Sequence, residues 1–386
     1  MKYTTTDFLK AATETAEHFG FRTVDALKKD PACQNCPTPL NHNICEADHG
    51  CDQHGGVSVD CVATYCNEKL HATTNPVLLY SLHKALPEDT DTSLSLNIFN
   101  VQKSIAEAIL IQAARSLLNE LDETDHMVKI NSMGDTESVA RYQRELTNFL
   151  RKRLDLMPDE AREKLKTHTL SALQSLIDLD HELAYKAPSP LEHLSDQSRK
   201  HFREIVEYLD LSDAPYEIDP KLLGHHEFYS DALFSIEKPG EDGQSLRVRG
   251  GRFDEFLYRK TKTRTPAVGV VFTLKTAKPA ARLPKAKSRP VSVYVVQLGF
   301  GPKMRSLMII DALKQASIPV WHDLASDSLS AQLRLAEAAG ARYTVIVGQK
   351  EFVDNTVILR DMLERSQEPV NLETLLRKLR KERVTA

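Results

Sequence analysis

Apolar and polar positions change their spacing several times along this chain, and each change marks a predicted element. The first twenty residues place apolar side chains at helical spacing, and FRTVDAL after them fits a short strand. PVLLYSL and SLSLNIFNV are typical of strands because their apolar residues alternate or run together over a short length. SIAEAILIQAARSLLNEL has apolar residues at i, i+3, i+4 and i+7 and predicts a helix, and MVKINS predicts the next strand.

The middle of the chain divides into a helical stretch and a mixed stretch. Residues 136–210 are highly charged and predict helices, punctuated by Pro158, Pro188 and Pro190. Beyond Tyr216, the strands DALFSIE, QSLRVRGG and AVGVVFTL are predicted, separated by turns that contain glycine. Residues 1–275 therefore form one part of the protein in this interpretation.

The last part of the chain alternates strand and helix patterns regularly. Residues 291–386 predict a mostly parallel sheet covered on both faces, in a small α/β domain. Between the two parts, residues 276–290 hold three prolines, five basic residues and no acidic residue. This composition is typical of an extended linker.

Net charge limits the protein's possible contacts with nucleic acid. The formal charge of the whole chain is −4, so any such contact requires a local basic patch. The linker supplies five candidate RNA-binding cations, Lys278, Arg282, Lys285, Lys287 and Arg289. They could contact a polyanion, but a simple solvated linker explains the same composition equally well.

Targeting signals are absent from the sequence pattern. No stretch approaches the length of apolar residues that a membrane span needs, and the N-terminus lacks the apolar core of a signal peptide. We therefore expect a cytoplasmic protein whose thiols stay reduced.

The cysteines form a single cluster that predicts a metal site. All six lie within one short segment, at Cys33, Cys36, Cys45, Cys51, Cys61 and Cys66. The pair Cys33-x-x-Cys36 can place two thiolates on one tight turn, as tetrahedral zinc requires. Either Cys45 and Cys51 or Cys61 and Cys66 could complete the site. Their spacing is irregular, so an iron–sulfur cluster or plain buried thiols remain alternatives. The surrounding segment has few large apolar residues, and a bound metal would supply its folding free energy.

The C-terminal pattern resembles a known family. The string GARYTVIVGQKEFVDNTVILRDM is similar to the anticodon-binding domain shared by the histidyl-, glycyl-, threonyl- and prolyl-tRNA synthetases. Gly348, Glu351 and the flanking β-branched residues carry the match, and SLSAQLRLAEAAGA resembles the family's preceding helix.

Upstream, the resemblance narrows to histidyl-tRNA synthetases. The family's order is followed by INSMGD, RYQRELTNFL, LSDQSRKHFREIVEYLD and TPAVGVVFTL. GGRFDEF, at residues 250–256, is similar to the family's glycine-rich strand. The resemblance implies an α+β class II synthetase-like antiparallel sheet, with a helical insertion at 136–210 and a Cys-rich, metal-binding insertion at 31–71. It implies an α/β anticodon-binding-like domain after the linker, and a homodimer.

Several positions depart from the family where its chemistry depends on arginine. Gly224 stands where the family's histidine-binding loop begins with arginine, and Thr276 stands where arginine closes motif 3. The region that corresponds to motif 2 contains no arginine. Adenylate formation needs positive charge at the phosphate. We therefore assign no catalytic residue and expect neither ATP as a cofactor nor aminoacylation.

Some pocket positions are retained. The resemblance implies a residual substrate pocket formed by Glu227, Tyr229, Gly250, Gly251, Arg252 and Asp254. A structural role is an equally strong explanation, because the glycines can allow close strand packing and Arg252–Asp254 can be a scaffold ion pair. The neighbouring His225 and His226 are better explained as loop residues than as ligands.

The sequence therefore favours a synthetase-like protein without aminoacylation activity that binds tRNA or a protein partner. One alternative is a regulatory subunit resembling the synthetase-like partner of ATP phosphoribosyltransferase, a family that typically lacks the anticodon-binding domain. The other is an active ATP-dependent ligase for an amino acid and tRNA, with an altered site.

Overall fold

The computed structural model describes residues 3–26, 59–72, 75–83, 91–224, 228–238, 246–275 and 293–384. The first elements are α1 (Thr5–His18), β1 (Arg22–Thr23), α2 (Val59–Asn67), β2 (Val77–His83), β3 (Asp91–Phe99), α3 (Ile105–Glu120) and β4 (Met127–Ser132). Helix α1 begins where the Asp7 N–H donates to the Thr4 hydroxyl at 3.2 Å and the Thr4 N–H donates to the Asp7 carboxylate at 2.9 Å. This reciprocal pair satisfies donors that a helix start leaves free.

The predicted strand FRTVDAL is shorter in the structure. Of its described residues, only Arg22 and Thr23 pair with β2, and Val24–Ala26 form one 3-10 turn. Val24 is buried in the same apolar cluster as Cys61 and Leu79. Because Val24 is buried in this cluster, the chain turns at this point, and the strand ends after two paired residues.

The predicted helical stretch is confirmed and has a core of its own. Its helices are α4 (Thr136–Arg151), α5 (Asp159–Thr167), α6 (Thr169–Asp178), α7 (Glu182–Tyr185) and α8 (Asp196–Leu211). Tyr142, Leu146 and Leu150 recur along one face of α4 and pack with Leu173 and Leu176 of α6. The Asp135 carboxylate caps α4 by accepting from the Ser138 N–H at 2.9 Å.

A large, mainly antiparallel sheet forms the centre of the first part. The chain completes it with β5 (Tyr216–Ile218), β6 (Ala232–Glu237), β7 (Leu246–Arg252), α9 (Asp254–Thr261) and β8 (Ala267–Lys275). The strand order is β1-β2-β3-β8-β7-β6-β4-β5, antiparallel except for the outer pairs β1-β2 and β4-β5. The predicted α+β architecture is confirmed in the described residues, whereas most of the Cys-rich insertion lies outside them.

One sequence interpretation needs correction at the end of β7. GGRFDEF was expected to be a glycine-rich strand, but the strand ends at Arg252 and α9 begins at Asp254. The Asp254 carboxylate accepts from the Ala267 N–H at 2.7 Å, so it joins the helix start to the first residue of β8. This long-range bond favours a helix where the local pattern favours a strand.

The two faces of the large sheet differ in chemistry. Alternate residues of its central strands point to opposite faces, and one set is apolar and buried beneath α1, α3 and α8. This covered face includes Leu94, Leu96, Ile98, Leu246, Val248, Val268, Val270 and Phe272. The intervening residues form a polar face, which consists of Ser81, Ser93, Ser95, Asn97, Lys129, Asn131, Ser235, Glu237, Arg247, Arg249 and Thr273.

The C-terminal part is a small α/β unit. Its elements are β9 (Val293–Gln297), α10 (Phe300–Gln315), β10 (Val320–His322), α11 (Leu329–Ala338), β11 (Tyr343–Val347), α12 (Gln349–Val353), β12 (Val357–Asp361), β13 (Gln367–Val370) and α13 (Leu372–Val384). Strands β10, β9 and β11 are parallel, as predicted, but β12 and β13 are antiparallel. The sequence pattern did not predict β13, because QEPV is short, exposed and polar at a sheet edge.

Helix α10 joins the two parts. The apolar residues of this helix are distributed around most of its circumference, which is typical of a helix buried on both faces. The Ile310 carbonyl accepts a hydrogen bond from His18 Nε2 at 2.8 Å, and Lys314 Nζ lies 2.7 Å from a Glu120 carboxylate oxygen. The Phe300 ring stacks on Tyr208 with centroids 4.3 Å apart. The C-terminal unit therefore packs directly on the helices that cover the large sheet.

Candidate functional site

The polar face of the large sheet is the candidate site. Strand register aligns the residues of this face in rows that run across neighbouring strands. One row consists of Ser81, Ser95, Val271, Arg249 and Ser235. A parallel row joins Ser93, Thr273 and Arg247. Hydroxyl and guanidinium groups thus lie side by side across the middle of the sheet, where they can donate hydrogen bonds to an anion.

Asn97 is the most deeply placed polar residue of this face. It is fully buried, and its amide nitrogen and oxygen lack a hydrogen-bond partner within the described part of the chain. Its side chain fills the space beside Gly269, where an added Cβ would stand 2.4 Å from Asn97 Oδ1. Gly269 is required here because any larger residue would displace the Asn97 amide.

Arg252 lies on the covered face, behind the sheet, and not on the polar face. Its Nε donates to Glu107 Oε1 at 2.8 Å, and both side chains are buried. His201 Nε2 lies 3.0 Å from the same carboxylate oxygen. Arg252 also donates to the Val101 carbonyl at 3.2 Å and to Asp254 at 3.4 Å. These contacts tie β7 to α3 and α8, which favours the structural role for Arg252.

The charges of this network shift its pKa values. Burial alone raises the pKa of Glu107, but Arg252 and His201 outweigh it and hold that pKa at about 2. Burial lowers the pKa of His201, but Glu107 opposes it more strongly and the net pKa is raised. Burial raises the pKa of Asp254 despite its contact with Arg252. The network therefore contains a charged Glu107–Arg252 pair in the buried interior, shielded from solvent.

The two glycines of the expected pocket serve close packing. A Cβ at Gly250 would stand 2.4 Å from Phe234 Cζ, and one at Gly251 would stand 2.8 Å from both Leu233 Cδ2 and Tyr229 Cδ1. Burial raises the pKa of Tyr229, and Arg249 partly opposes that shift. The Tyr229 ring therefore occupies the space above Gly251 that an open pocket would need.

Gly224 is packed against the same ring. A Cβ at position 224 would stand 2.5 Å from Tyr229 Cδ2 and 2.8 Å from Leu233 Cδ2. Position 224, where the resemblance leads us to expect arginine, therefore has no room for a side chain in this structure. Glu227, His225 and His226 lie outside the described residues.

The predicted metal ligands are only partly described. Cys33, Cys36, Cys45 and Cys51 lie outside the described residues, as do the linker cations Lys278, Arg282, Lys285, Lys287 and Arg289. Cys61 is buried on α2 in an apolar cluster with Tyr65 and Phe99, and burial raises the pKa of the half-buried Cys66 thiol. Within the described ranges, no three His, Cys, Asp or Glu side chains are grouped as a metal site requires.

A cavity between the two parts was not predicted. It measures about 610 Å³ and lies between the turn after β3, which includes Asn100 and Lys103, and the residues around α11, which include Asp323 and Arg334. Asp327 pairs with Lys103 and with Lys303, whose Nζ is 2.6 Å away. Burial lowers the pKa of Lys303 to about 8. No sequence pattern could reveal this cavity, because its two walls are distant in the chain.

In the described residues, no helix combines the length and the apolar character needed to cross a bilayer.

Comparisons with known proteins agree with the fold. Residues 292–382 match the family described as Anticodon binding domain. The chain is 28% identical over 301 residues to the histidine–tRNA ligase of Thermosipho melanesiensis, which covers 77% of this chain and 71% of that protein. It is 28% identical over 269 residues to the histidine–tRNA ligase of Fervidobacterium nodosum. That match covers 69% of this chain and 63% of the relative. The chain thus spans about two thirds of the length of these relatives.

Two solved structures resemble the chain more loosely. The apo histidyl-tRNA synthetase of S. aureus gives a TM-score of 0.46 at 17% identity, covering 83% of this chain and 82% of that one. A Bacillus halodurans protein described as an ATP phosphoribosyltransferase regulatory subunit/histidyl-tRNA synthetase gives a TM-score of 0.47 at 13% identity. The match covers 89% of this chain and 94% of that one. Residues 292–382 thus match an anticodon-binding domain, and more than two thirds of the chain is similar to histidine–tRNA ligases.

Proposed function

We propose that this protein binds tRNA through its C-terminal domain and does not charge tRNA with histidine. The match of residues 292–382 to the anticodon-binding domain carries this proposal. The parallel strands and covering helices of the C-terminal unit supply a rigid support, and exposed cations on α13 supply charge for phosphate contacts. Arg377, Arg380 and Lys381 are exposed on that helix.

The absence of histidine charging is inferred from the polar face. Phosphate chemistry needs fixed positive charge where negative charge develops. At position 224 the Tyr229 ring leaves no room for a side chain, so no guanidinium can reach the face from there. Thr276, the other departure, lies outside the described residues. Tyr229 above Gly251 further narrows the space that a substrate would occupy.

The binding experiment uses the full-length protein and total tRNA. We expect a dissociation constant tighter than ~100 μM in filter binding at about 0.1 M salt, the weak end of the range for non-specific nucleic-acid binding. Replacing Arg377, Arg380 and Lys381 with glutamine should weaken binding. Glutamine at the exposed cations Arg144, Arg151 and Lys152 of the helical stretch is the matched control and should leave binding unchanged.

The activity experiment is separate. Purified protein should show no histidine-dependent exchange of pyrophosphate into ATP above background. Exchange above background would sink the non-catalytic part of the proposal and favour a ligase with an altered site. If the folded full-length protein does not bind tRNA, this result would instead favour docking to another protein, as in the regulatory-subunit alternative.

A further inference from the structure

The cavity between the two parts of the protein has walls that are each fixed by contacts of their own. One wall is the turn after β3, which includes Asn100 and Val101. The Asn100 N–H donates to the Pro266 carbonyl at 2.9 Å, and the Val101 carbonyl accepts from Arg252 Nη1 at 3.2 Å. Contacts within the first part therefore hold this wall in place.

The other wall includes one face of helix α11. Gln332, on another face of that helix, is buried and donates from Nε2 to the Gln297 carbonyl at 2.8 Å. Its Oε1 accepts from the Gln297 N–H at 3.0 Å, so the helix is fixed on β9. The helix residues that line the cavity are spaced at i, i+3, i+4 and i+7, and they are Ala331, Arg334, Leu335 and Ala338.

The space between these walls suits the apolar body of a small molecule. Leu335 is 46% exposed although it faces the cavity, and Val101 lies in the opposite wall. The short side chains of Ala331 and Ala338 leave the space between the walls open. Its volume of about 610 Å³ lies within the range of about 300–1,000 Å³ that is common for small-molecule sites. A ligand that filled it would remove Leu335 from water, which is favourable.

Arg334 supplies a positive charge that the described part of the chain does not neutralise. The neighbouring Asp327 pairs with Lys103 and with Lys303. Burial raises the pKa of Asp323 in the cavity wall, and the charge of Lys303 opposes that shift. Arg334 is exposed and has no hydrogen-bond or ion-pair partner among the described residues. Its guanidinium is therefore free to bind an anionic group.

We propose that this cavity binds a small amphipathic carboxylate, with its apolar body between Val101 and Leu335 and its carboxylate on Arg334. A guanidinium can hold a carboxylate through two parallel hydrogen bonds. The ligand carries a single negative charge, because Asp323 lines the same cavity and would repel a dianion. Since the two walls come from different parts of the protein, the bound ligand would also hold the C-terminal unit against the first part. This proposal does not depend on tRNA binding by the C-terminal domain.

The test uses the full-length protein and two fluorescent probes that have the same aromatic body. 8-Anilinonaphthalene-1-sulfonate carries one negative charge, whereas N-phenyl-1-naphthylamine is neutral. The fluorescence of both probes should rise on saturable binding. Arg334→Gln should weaken binding of the anionic probe about tenfold and change binding of the neutral probe by less than about twofold, because only the charge-assisted bond is lost. Leu335→Ser should weaken binding of both probes, because it removes apolar surface from the wall.

A carboxylate and two control variants complete the experiment. Decanoate should displace the anionic probe from the wild type, which distinguishes a carboxylate site from one that accepts only the sulfonate. Arg203→Gln removes an exposed arginine of α8, and Leu329→Ser removes an exposed leucine at the start of α11, outside the cavity lining. Both controls should bind the two probes as the wild type does. Circular dichroism should show that every variant is folded, since each replaced side chain is exposed.

Three results would overturn the proposal. If Arg334→Gln weakens both probes equally or neither of them, Arg334 does not hold the anionic group. If Leu335→Ser has no effect, or the controls weaken binding as much as the cavity variants do, the probes bind elsewhere on the protein. If decanoate does not displace the anionic probe, the site does not accept a carboxylate.

Discussion

Arg252 and Glu107 form a buried ion pair behind the sheet, with 2.8 Å between Arg252 Nε and Glu107 Oε1. The pair joins the end of β7 to α3, and His201 of α8 contacts the same carboxylate. Residues from three segments that are distant in sequence therefore contact one another at the Glu107 carboxylate. These contacts hold the sheet and its covering helices together, which gives Arg252 a structural role.

Glu107→Ala should destabilise the protein strongly. It leaves the Arg252 guanidinium buried without its main partner, and breaking such a pair costs about 3–5 kcal/mol. Urea unfolding monitored by circular dichroism measures the free energy of unfolding. The control Glu137→Ala removes an exposed i,i+4 pair with Arg141 and should cost less than about 1 kcal/mol. Equal effects of the two changes would contradict the role assigned to Glu107.

Acid should weaken the same ion pair. The pKa of Glu107 is lowered from 4.5 to about 2 in the folded protein, so its contribution to stability is complete above pH 4.5. That contribution is lost as pH falls from 4.5 towards 2. In Glu107→Gln this part of the acid dependence should disappear. Unfolding free energies measured across this pH range would contradict the prediction if both proteins lost stability in parallel.

His201 should give the opposite pH dependence. Its pKa is raised above 6.5, so its contribution to stability is complete below pH 6.5 and is lost as pH rises through the folded pKa. The stability difference between wild type and His201→Gln should therefore be larger at low than at high pH. His126→Gln is a control of opposite sign, because burial lowers the pKa of His126. A difference that does not vary with pH would exclude an ionised His201.

The basic linker should contribute RNA affinity that does not depend on sequence. Its five cations are Lys278, Arg282, Lys285, Lys287 and Arg289. Replacing them with serine should weaken binding to every RNA and flatten the salt dependence by up to ~0.7 in slope for each phosphate that is no longer neutralised. Filter binding across a salt series measures both effects. Serine at five exposed cations elsewhere, Arg144, Arg151, Lys152, Lys200 and Arg203, should leave the slope unchanged.

The segment from Cys33 to Cys66 should bind about one zinc ion. Elemental analysis of protein purified without added metal tests this directly, and less than about 0.2 equivalents, with no iron, would reject it. Cys33→Ser combined with Cys36→Ser should release the metal. Cys61→Ala should lower stability yet retain zinc, because Cys61 is buried among apolar side chains.

Periodicity alone predicted most of the helices and strands in the described part of the chain. α3, β3 and β8 were predicted because their apolar spacing is a local property, and the alternation in residues 291–386 predicted its domain class for the same reason. The resemblance of the C-terminal strings likewise needed no structure. Gly224 was visible in the sequence as a departure from the family, although its consequence for the shape of the site was not.

Only the tertiary structure decided how these elements form a site. Whether Arg252 meets Glu107 or a ligand depends on contacts between segments more than a hundred residues apart, and no local pattern encodes them. The same holds for the Tyr229 ring above Gly224 and Gly251. Strand register, fixed by side-chain burial across the whole sheet, placed Arg247 and Arg249 on the polar face, because a shift of one residue would have buried them.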